Sequence, residues 1–258
     1  MVGKNVVVKI GVIGGSGLED KLGLGFAEKS VETPYGKPSS PLATGKIGGV
    51  ETVFLARHGK THSLSPSNVN YAANASALKQ EGCTHVIAAT ACGSLRGEIN
   101  PGDFVFPSQF IDFTKLRKTT LMEKPLHIAM DKPFCMPLSE TLAKTADSIG
   151  ISNHAGKTVL TIEGPRFSTK AESKMYRSLG ADAVNMTTVP EVTFARELKM
   201  HYASIAMVTD YDCWKDSEEP VSFQIVLERM EKNAVSLERL LNAVIPEIRD
   251  YDCDYSRA

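Results

Sequence analysis

Two carboxylates stand two residues apart at the end of an apolar segment. Asp210 and Asp212 follow residues 201–208, which have the length and residue types of a buried strand. Residues i and i+2 of an extended backbone project to the same side, and ligands bind at the carboxyl ends of strands in open α/β sheets. The pair is therefore predicted to face one cavity, where it suits a base with a ring nitrogen to protonate and an amine to hydrogen-bond. The alternative is an acidic turn capped by Asp212.

A glycine-rich turn after the first predicted strand favours anion binding. Gly14, Gly15 and Gly17 flank Ser16. Glycines at such a turn let successive backbone N–H groups point at one anion, and the serine adds a hydroxyl donor. The turn is not a dinucleotide fingerprint, because Asp20 stands where that motif requires its last glycine. The alternative is a plain β-turn.

Arg57 and His58 follow another predicted strand. A guanidinium fork beside an imidazole donor suits a phosphate or a carboxylate, whereas the alternative for Arg57 is a surface salt bridge. Residues 59–61 mimic the end of a P-loop, but Phe54 occupies the place of its first glycine. We therefore interpret the pair as an anion site without a P-loop.

Composition excludes several function classes. The 258 residues carry 29 Lys and Arg against 30 Asp and Glu, so the formal charge of −1 gives no reason to expect nucleic acid or an anionic membrane as a partner. No apolar run has the length of a bilayer span. The first residues indicate a strand and a loop rather than a signal peptide.

The cysteines and histidines do not indicate a metal site. The five cysteines are widely spaced and include no C-x-x-C pair, which favours a reducing compartment over a disulfide framework or a zinc site. His58 and His62 have H-x-x-x-H spacing, but Gly59 and the polar residues after it favour a loop. We expect no metal and a cytoplasmic protein, with the nucleus as a further location.

Strand-like and helix-like segments alternate along the chain. Strands are predicted at 6–13, 42–47, 51–56, 85–89, from 104, and at 157–163, 183–186 and 201–208. Helices are predicted after an N-cap at Ser67, at 138–149, after a capping box at Thr169, up to about residue 198, and from Ser222 to Pro246. Only the first turn of the last helix is expected near a cavity. Residues 107–137 are predicted to be irregular, at an oligomer interface.

This alternation predicts the α/β class, with a central, mixed and largely parallel sheet flanked by helices. One domain is predicted for residues 1–258, with a polar tail from about residue 250.

Six strand-end segments, taken in order, resemble the 5′-methylthioadenosine phosphorylases of the trimeric purine nucleoside phosphorylase family. These are residues 14–18, 55–59, 90–95, 163–168, 185–191 and 209–214. Each is weak alone but specific in combination, and the resemblance spans about residues 9–246. It implies a purine nucleoside phosphorylase-like fold, a homotrimer, and a pentosyltransferase that converts 5′-methylthioadenosine and phosphate to adenine and 5-methylthioribose 1-phosphate in purine and methionine salvage. Inorganic phosphate would be a co-substrate, and no cofactor is implied.

The resemblance assigns residues to two subsites. The phosphate subsite would comprise Ser16, Arg57, His58, Thr90, the N–H of Ala91, and Thr187. The nucleoside subsite would comprise Phe167 on the base, Met186 on the ribose, Asp210 at N7, Asp212 at the 6-amino group, and Val226, Leu227 and a neighbouring subunit's His127 around the methylthio group. The first set includes the anion sites predicted above from the residues themselves.

The implied chemistry is general-acid catalysis. Cleavage of the glycosidic bond builds positive charge on the sugar, which the phosphate stabilises and attacks, and negative charge on the base, which Asp210 neutralises by protonating N7. Asp212 and an apolar wall at Trp214 or Phe167 would raise the pKa of Asp210.

Base choice follows from two positions. Relatives that use 6-oxopurines have Glu at the place of Ser168 and Asn at the place of Asp210, so this chain resembles the adenine-directed group. Three features depart from the family pattern. Ser16 replaces a more usual Thr, and Phe223 stands near the 5′ pocket where a smaller aliphatic residue is usual. The short segment after Pro246 implies that a closing C-terminal helix is absent or shortened.

Four alternatives remain. A nucleosidase on the same fold would use water, but Arg57, His58 and Thr187 favour phosphate. A phosphorylase of broader specificity would accept adenosine or 6-oxopurine nucleosides. A non-catalytic nucleoside-binding protein would leave the catalytic positions without a role. A dinucleotide-dependent dehydrogenase is disfavoured by Asp20.

Overall fold

Nine strands among the described residues form one sheet. The computed structural model describes residues 8–15, 27–124, 126–218 and 221–249. The strands are β1 Ile10–Gly14, β2 Ala27–Lys29, β3 Leu42–Ile47, β4 Val50–Ala56, β5 His85–Ser94, β6 Phe104–Phe113, β7 Asn153–Ile162, β8 Ala183–Asn185 and β9 His201–Asp210. Their order is β2-β3-β4-β1-β5-β8-β7-β6-β9, and β5 also pairs with β9. The last five strands therefore close into a ring.

The sheet is mixed, as predicted. Parallel pairing joins β1 to β4 and β5, β5 to β9, β6 to β7, and β7 to β8. Antiparallel pairing joins β2 to β3, β3 to β4, β5 to β8, and β6 to β9. Because β4, β1, β5 and β9 share one direction, their carboxyl ends lie at one edge. The short β8 pairs with Gly93 and Ser94 and runs back along β5, which returns residue 187 to the neighbourhood of Thr90.

Five helices of the described chain flank the sheet. They are α1 Tyr71–Gln80, α2 Met136–Ser148, α3 Lys170–Ser178, α4 Thr188–Glu197 and α5 Phe223–Glu247. The capping box at Thr169 and the N-cap at Ser222 are confirmed. The predicted N-cap at Ser67 is wrong: this residue lies in a 3-10 turn, and the Asn70 side chain caps α1 by accepting from the Ala73 N–H.

Several strand boundaries differ from the prediction because pairing with neighbours overrides local composition. The small and hydroxylic residues 90–94 continue β5, since they stay paired with β9 past the predicted end at residue 89. The first seven residues of the segment predicted to be irregular continue β6, with Pro107 at a register shift against β7. A bulge is one of the few places where a strand accommodates proline. Within the described residues, β1 begins at Ile10 rather than at residue 6.

Both faces of the sheet are buried. One face packs under α2 and α5 through Leu142 and Leu241, and the other packs under α1 and α4 through Leu78 and Val192. Strands covered on both faces are held rigidly, so the residues at their ends have fixed positions. None of the helices that the structure describes is long and apolar enough to cross a membrane.

Candidate active site

A cavity of about 810 Å³ opens at the shared carboxyl edge of the strands, within the size range of small-molecule sites. Thirteen residues predicted from the sequence line this cavity: Arg57, His58, Thr90, Ala91, Phe167, Ser168, Met186, Thr187, Asp210, Asp212, Phe223, Val226 and Leu227. His127 is exposed and does not line it, and its predicted role belongs to a neighbouring subunit. Ser16 lies outside the described residues, although Gly15 lines the cavity.

Arg57 is buried at the end of β4 and paired with a carboxylate. Its Nε donates to Glu191 Oε1 at 2.5 Å, one terminal nitrogen donates to Glu191 Oε2 at 3.0 Å, and the other donates to the Ala89 carbonyl at 2.7 Å. Burial disfavours the charged guanidinium and lowers its pKa, but the Glu191 carboxylate has the larger effect, so the pKa of Arg57 is raised. The surface salt bridge considered from the sequence is therefore wrong, because the arginine is 3% exposed.

His58 is held in one tautomer. Its Nδ1 lies 2.8 Å from the Leu64 carbonyl, which only accepts, so Nδ1 carries the proton. Burial and the neighbouring Arg57 lower the pKa of His58 to about 4. The predicted imidazole donor is thus an acceptor at Nε2 while the ring is neutral. It can accept from the hydroxyl of a hydrogen phosphate, and a bound anion stabilises the protonated ring, in which Nε2 is a donor.

Two threonine hydroxyls add to the polar part of the cavity that Arg57 and His58 line. The hydroxyls of Thr90 on β5 and Thr187 before α4 lie 2.9 Å apart, and both residues are buried. Thr187 is the N-cap residue of α4, but its side chain makes no capping hydrogen bond. Its hydroxyl therefore serves the cavity rather than the helix.

Asp210 and Asp212 line the cavity together, but not through an extended backbone. Asp212 has a φ of +51°, so the chain turns sharply after β9. The Asp212 N–H donates to Asp210 Oδ1 at 2.7 Å, and the Thr209 hydroxyl donates to Asp210 Oδ2 at 2.6 Å. The predicted convergence of the carboxylates is therefore reached by a left-handed turn.

Burial raises the pKa of both carboxyl groups. For Asp210, the charge of Asp212 adds to this rise, while the donors from Thr209 and Asp212 oppose it. For Asp212, the nearby hydroxyls of Ser173 and Ser168 oppose the rise in pKa. Neither hydroxyl makes a hydrogen bond of ordinary geometry, so their effect is weaker than that of burial. A carboxyl group with a raised pKa is suited to proton donation.

The apolar surroundings differ from those predicted. Trp214 is absent from the cavity lining, since its indole N–H donates to the Ser94 carbonyl at 2.8 Å and Arg177 stacks on its ring. Phe167 supplies the aromatic wall. The cavity extends along α5 from Phe223 to Leu237, so the expectation that only its first turn approaches the site is wrong. The 25-residue helix presents one face to the cavity throughout this length.

Comparisons with known proteins agree with this architecture. Residues 9–246 match the family model described as the phosphorylase superfamily. The chain belongs to the phosphorylase superfamily. It is 52% identical to the S-methyl-5′-thioadenosine phosphorylase of Danio rerio, covering 97% of this chain and 92% of that one. The corresponding protein of Xenopus tropicalis is also 52% identical, with 95% and 90% coverage.

Solved structures of this superfamily are equally similar. The methylthioadenosine phosphorylase from Schistosoma mansoni in complex with adenine superposes with a TM-score of 0.90 at 43% identity, covering 95% of this chain and 93% of that one. A variant of the adenosine/methylthioadenosine phosphorylase from that organism, in complex with methylthioadenosine, superposes with a TM-score of 0.89 at 42% identity and the same coverage.

Two residues that matter to this superfamily member were missed from the sequence. Glu191, which neutralises Arg57, was placed in a matched segment without a role, and its only signal was a lone carboxylate in an otherwise apolar stretch. Arg117 lies in the segment predicted to be irregular, where no pattern identified it. Among the described residues, no group of His, Cys, Asp and Glu side chains has the arrangement of a metal site.

Proposed function

We propose that this chain is a 5′-methylthioadenosine phosphorylase, which converts its nucleoside and inorganic phosphate to adenine and 5-methylthioribose 1-phosphate. The observation that carries the proposal is the joining, in one cavity, of an anion subsite around Arg57, His58 and Thr187 with the carboxyl pair Asp210 and Asp212. The named relatives have the same activity.

The phosphate subsite supplies the nucleophile. Arg57 contributes a fixed positive charge that Glu191 holds in place, and the Thr90 and Thr187 hydroxyls lie close enough to bind neighbouring oxygens of one phosphate. Phosphate held below the sugar is aligned with the anomeric carbon and stabilises its developing positive charge. Ser16 and the Ala91 N–H are proposed to complete this subsite.

The carboxyl pair serves the leaving base. Asp210, whose pKa is raised by burial, would donate a proton to N7 as the glycosidic bond breaks, and Asp212 would accept from the 6-amino group. Phe167 is proposed to stack on the base, and Met186 to lie against the ribose. The pair suits adenine, since a protonated carboxyl group can donate to the ring nitrogen N7 while a carboxylate accepts from the 6-amino group.

Substrate choice at the 5′ position is assigned to α5. Val226 and Leu227 present an apolar surface in the cavity, which fits a methylthio group better than a hydroxyl. Adenosine is a second candidate substrate, because the similar Schistosoma mansoni structures include an adenosine/methylthioadenosine phosphorylase.

Several further properties are proposed with this function. They are a homotrimer in which His127 reaches a neighbouring site, a place in methionine as well as purine salvage, a cytoplasmic location, and catalysis without a metal or organic cofactor. The single domain at 1–258 remains a prediction.

The decisive experiment is adenine release from 5′-methylthioadenosine with and without inorganic phosphate, with adenosine and inosine as further substrates. Release that depends on phosphate, with inosine inert, is expected. Equal release without phosphate would identify a nucleosidase, and rapid turnover of inosine would contradict the assignment of adenine to Asp210 and Asp212.

A further inference from the structure

A buried arginine behind the cavity connects the segments that present the phosphate subsite. Arg117 follows β6 and its side chain is 3% exposed. One terminal nitrogen donates to the carbonyls of Met186 at 2.7 Å and Val189 at 2.6 Å. The other donates to the Glu163 carbonyl at 2.7 Å, and Nε donates to Glu163 Oε1 at 3.1 Å. One guanidinium thus holds the ends of β7 and β8 and the start of α4.

The Glu163 carboxylate also binds the backbone next to Arg117. Its Oε2 accepts from the backbone N–H groups of Lys115 at 2.8 Å and Leu116 at 3.1 Å, and its Oε1 accepts from the Ser67 hydroxyl at 2.8 Å. Burial opposes the charge, but these donors lower the pKa of Glu163 to about 2. Charge-assisted hydrogen bonds of this kind are about twice as strong as neutral ones. The contacts therefore form a rigid unit.

The carbonyls that Arg117 holds flank the proposed phosphate ligand. Thr187 lies between Met186 and Val189 in the chain, and it lines the cavity while Arg117 does not. In a trans peptide the C=O and the following N–H point in opposite directions. Because the Met186 carbonyl points at Arg117, the Thr187 N–H points away from the arginine, and Thr187 itself lines the cavity.

We infer that Arg117 is a positioning residue, which orients the peptide between Met186 and Thr187 and thereby sets the affinity for phosphate. This inference rests on the proposed phosphorylase function. The carboxyl pair assigned to the base is held differently, since Asp210 is anchored by Thr209 and Asp212 rather than by this arginine. Loss of Arg117 is therefore expected to weaken phosphate binding much more than adenine binding.

The test compares Arg117→Gln and Arg117→Lys with the wild-type chain. Phosphate and 5′-methylthioadenosine are varied separately in steady-state assays, and adenine binding is measured by isothermal titration calorimetry. Arg117→Gln is expected to raise the KM for phosphate about 10- to 100-fold, because small displacements of binding groups have effects of that size. The lysine variant is expected to restore part of the loss, and adenine affinity should stay within about twofold of wild type.

A matched control separates positioning from general destabilisation. Arg96 also donates from Nε to a carboxylate, Asp182, at 3.0 Å, and to the Leu95 carbonyl, but neither Asp182 nor Leu95 lines the cavity. Arg96→Lys is expected to leave the phosphate KM unchanged. Glu163→Gln weakens the hold on residues 115–117 without altering the guanidinium, and should raise the phosphate KM in the same direction.

The outcomes are distinguishable. If the wild-type chain releases adenine without phosphate, the proposed function fails. If the wild type needs phosphate but the folded Arg117→Lys and Glu163→Gln variants keep its phosphate KM, only the inference about Arg117 fails. Equal losses of phosphate and adenine affinity would also overturn it, since a purely structural role affects both subsites alike.

Discussion

The backbone N–H of Asp212 donates a 2.7 Å hydrogen bond to Oδ1 of Asp210. The other carboxyl oxygen, Oδ2, accepts from the Thr209 hydroxyl. A proton that Asp210 transfers can pass through this second oxygen. The turn at Asp212 therefore orients the Asp210 carboxyl group within the cavity.

Asp210→Asn tests the general-acid role. The amide can still accept from the Asp212 N–H, so the turn should survive, but it cannot transfer a carboxyl proton. We expect kcat with 5′-methylthioadenosine to fall by about 10²- to 10⁴-fold. Thermal stability and phosphate KM, measured on the same preparation, should change little. Full turnover by the variant would remove Asp210 from the acid role.

Gly93→Ala tests how closely the sheet supports this carboxyl group. A Cβ at residue 93 would stand 2.9 Å from Asp210 Oδ1 and 3.3 Å from the Asp212 backbone nitrogen, so the carboxyl group must move. We expect kcat/KM to fall by about 10- to 100-fold. Gly97→Ala is the control, because an added Cβ there meets nothing within 4 Å. Equal activity of the two variants would show that Asp210 tolerates displacement.

These two positions also show what the sequence could and could not predict. Asp210 is identifiable because a carboxylate abruptly follows an apolar run. Gly93 was treated as part of a hydroxylic strand end, whereas it lies inside β5 at a register shift against β9. Residue 93 must be glycine because Asp210 and Asp212 contact it closely. These residues are far from Gly93 in the sequence, and no local pattern encodes such a contact.

The same distinction applies across the fold. The α/β class, the strands predicted at 42–47 and 51–56, and the capping box at Thr169 follow from local periodicity and turn chemistry, and all three are confirmed. The ring closed by β5 and β9, and the buried role of Arg117, depend on pairings between residues far apart in sequence. Arg57, His58, Asp210 and Asp212 are identifiable from the residues themselves, whereas the other predicted cavity residues come from the resemblance, and the roles assigned to all of them stay predictions.

Glu191→Gln tests the buried ion pair. Arg57 and Glu191 are both buried, so removing the carboxylate leaves a guanidinium charge without compensation, and the free energy of unfolding should fall by about 3 to 5 kcal/mol. Chemical denaturation of the single variant and of Glu191→Gln with Arg57→Met measures this. The double variant should be more stable than the single one, since it no longer buries a lone charge. A double variant that is less stable would contradict the explanation.

Acid sensitivity should follow from His85. Burial, with the stacked His201 ring 4.4 Å away, lowers the pKa of His85 to about 3. The unfolded chain binds a proton here below about pH 6.5 while the folded chain does not, so stability is present above that pH and is lost as the pH falls toward about 3. In His85→Asn, the slope of unfolding free energy against pH between about pH 6 and pH 4 should decrease by about one proton. An unchanged slope would show that His85 takes up its proton in the folded state.

Phe223→Val tests the 5′ end of the cavity. Phe223 lines the cavity at the first turn of α5, yet it is 58% exposed and lies 6.4 Å from the His62 ring. It therefore narrows the entrance rather than the interior. A valine removes this obstruction. Nucleosides with longer 5′-alkylthio groups should therefore gain about 10-fold in kcat/KM relative to the methylthio substrate, which is a usual effect of one methylene group in an apolar pocket. Val235→Ala on the same helix, at an exposed position outside the cavity lining, should leave that ratio unchanged. If the ratio also stays constant in Phe223→Val, the phenylalanine turns away from the bound substrate and the 5′ group is selected deeper in the cavity, by Val226 and Leu227.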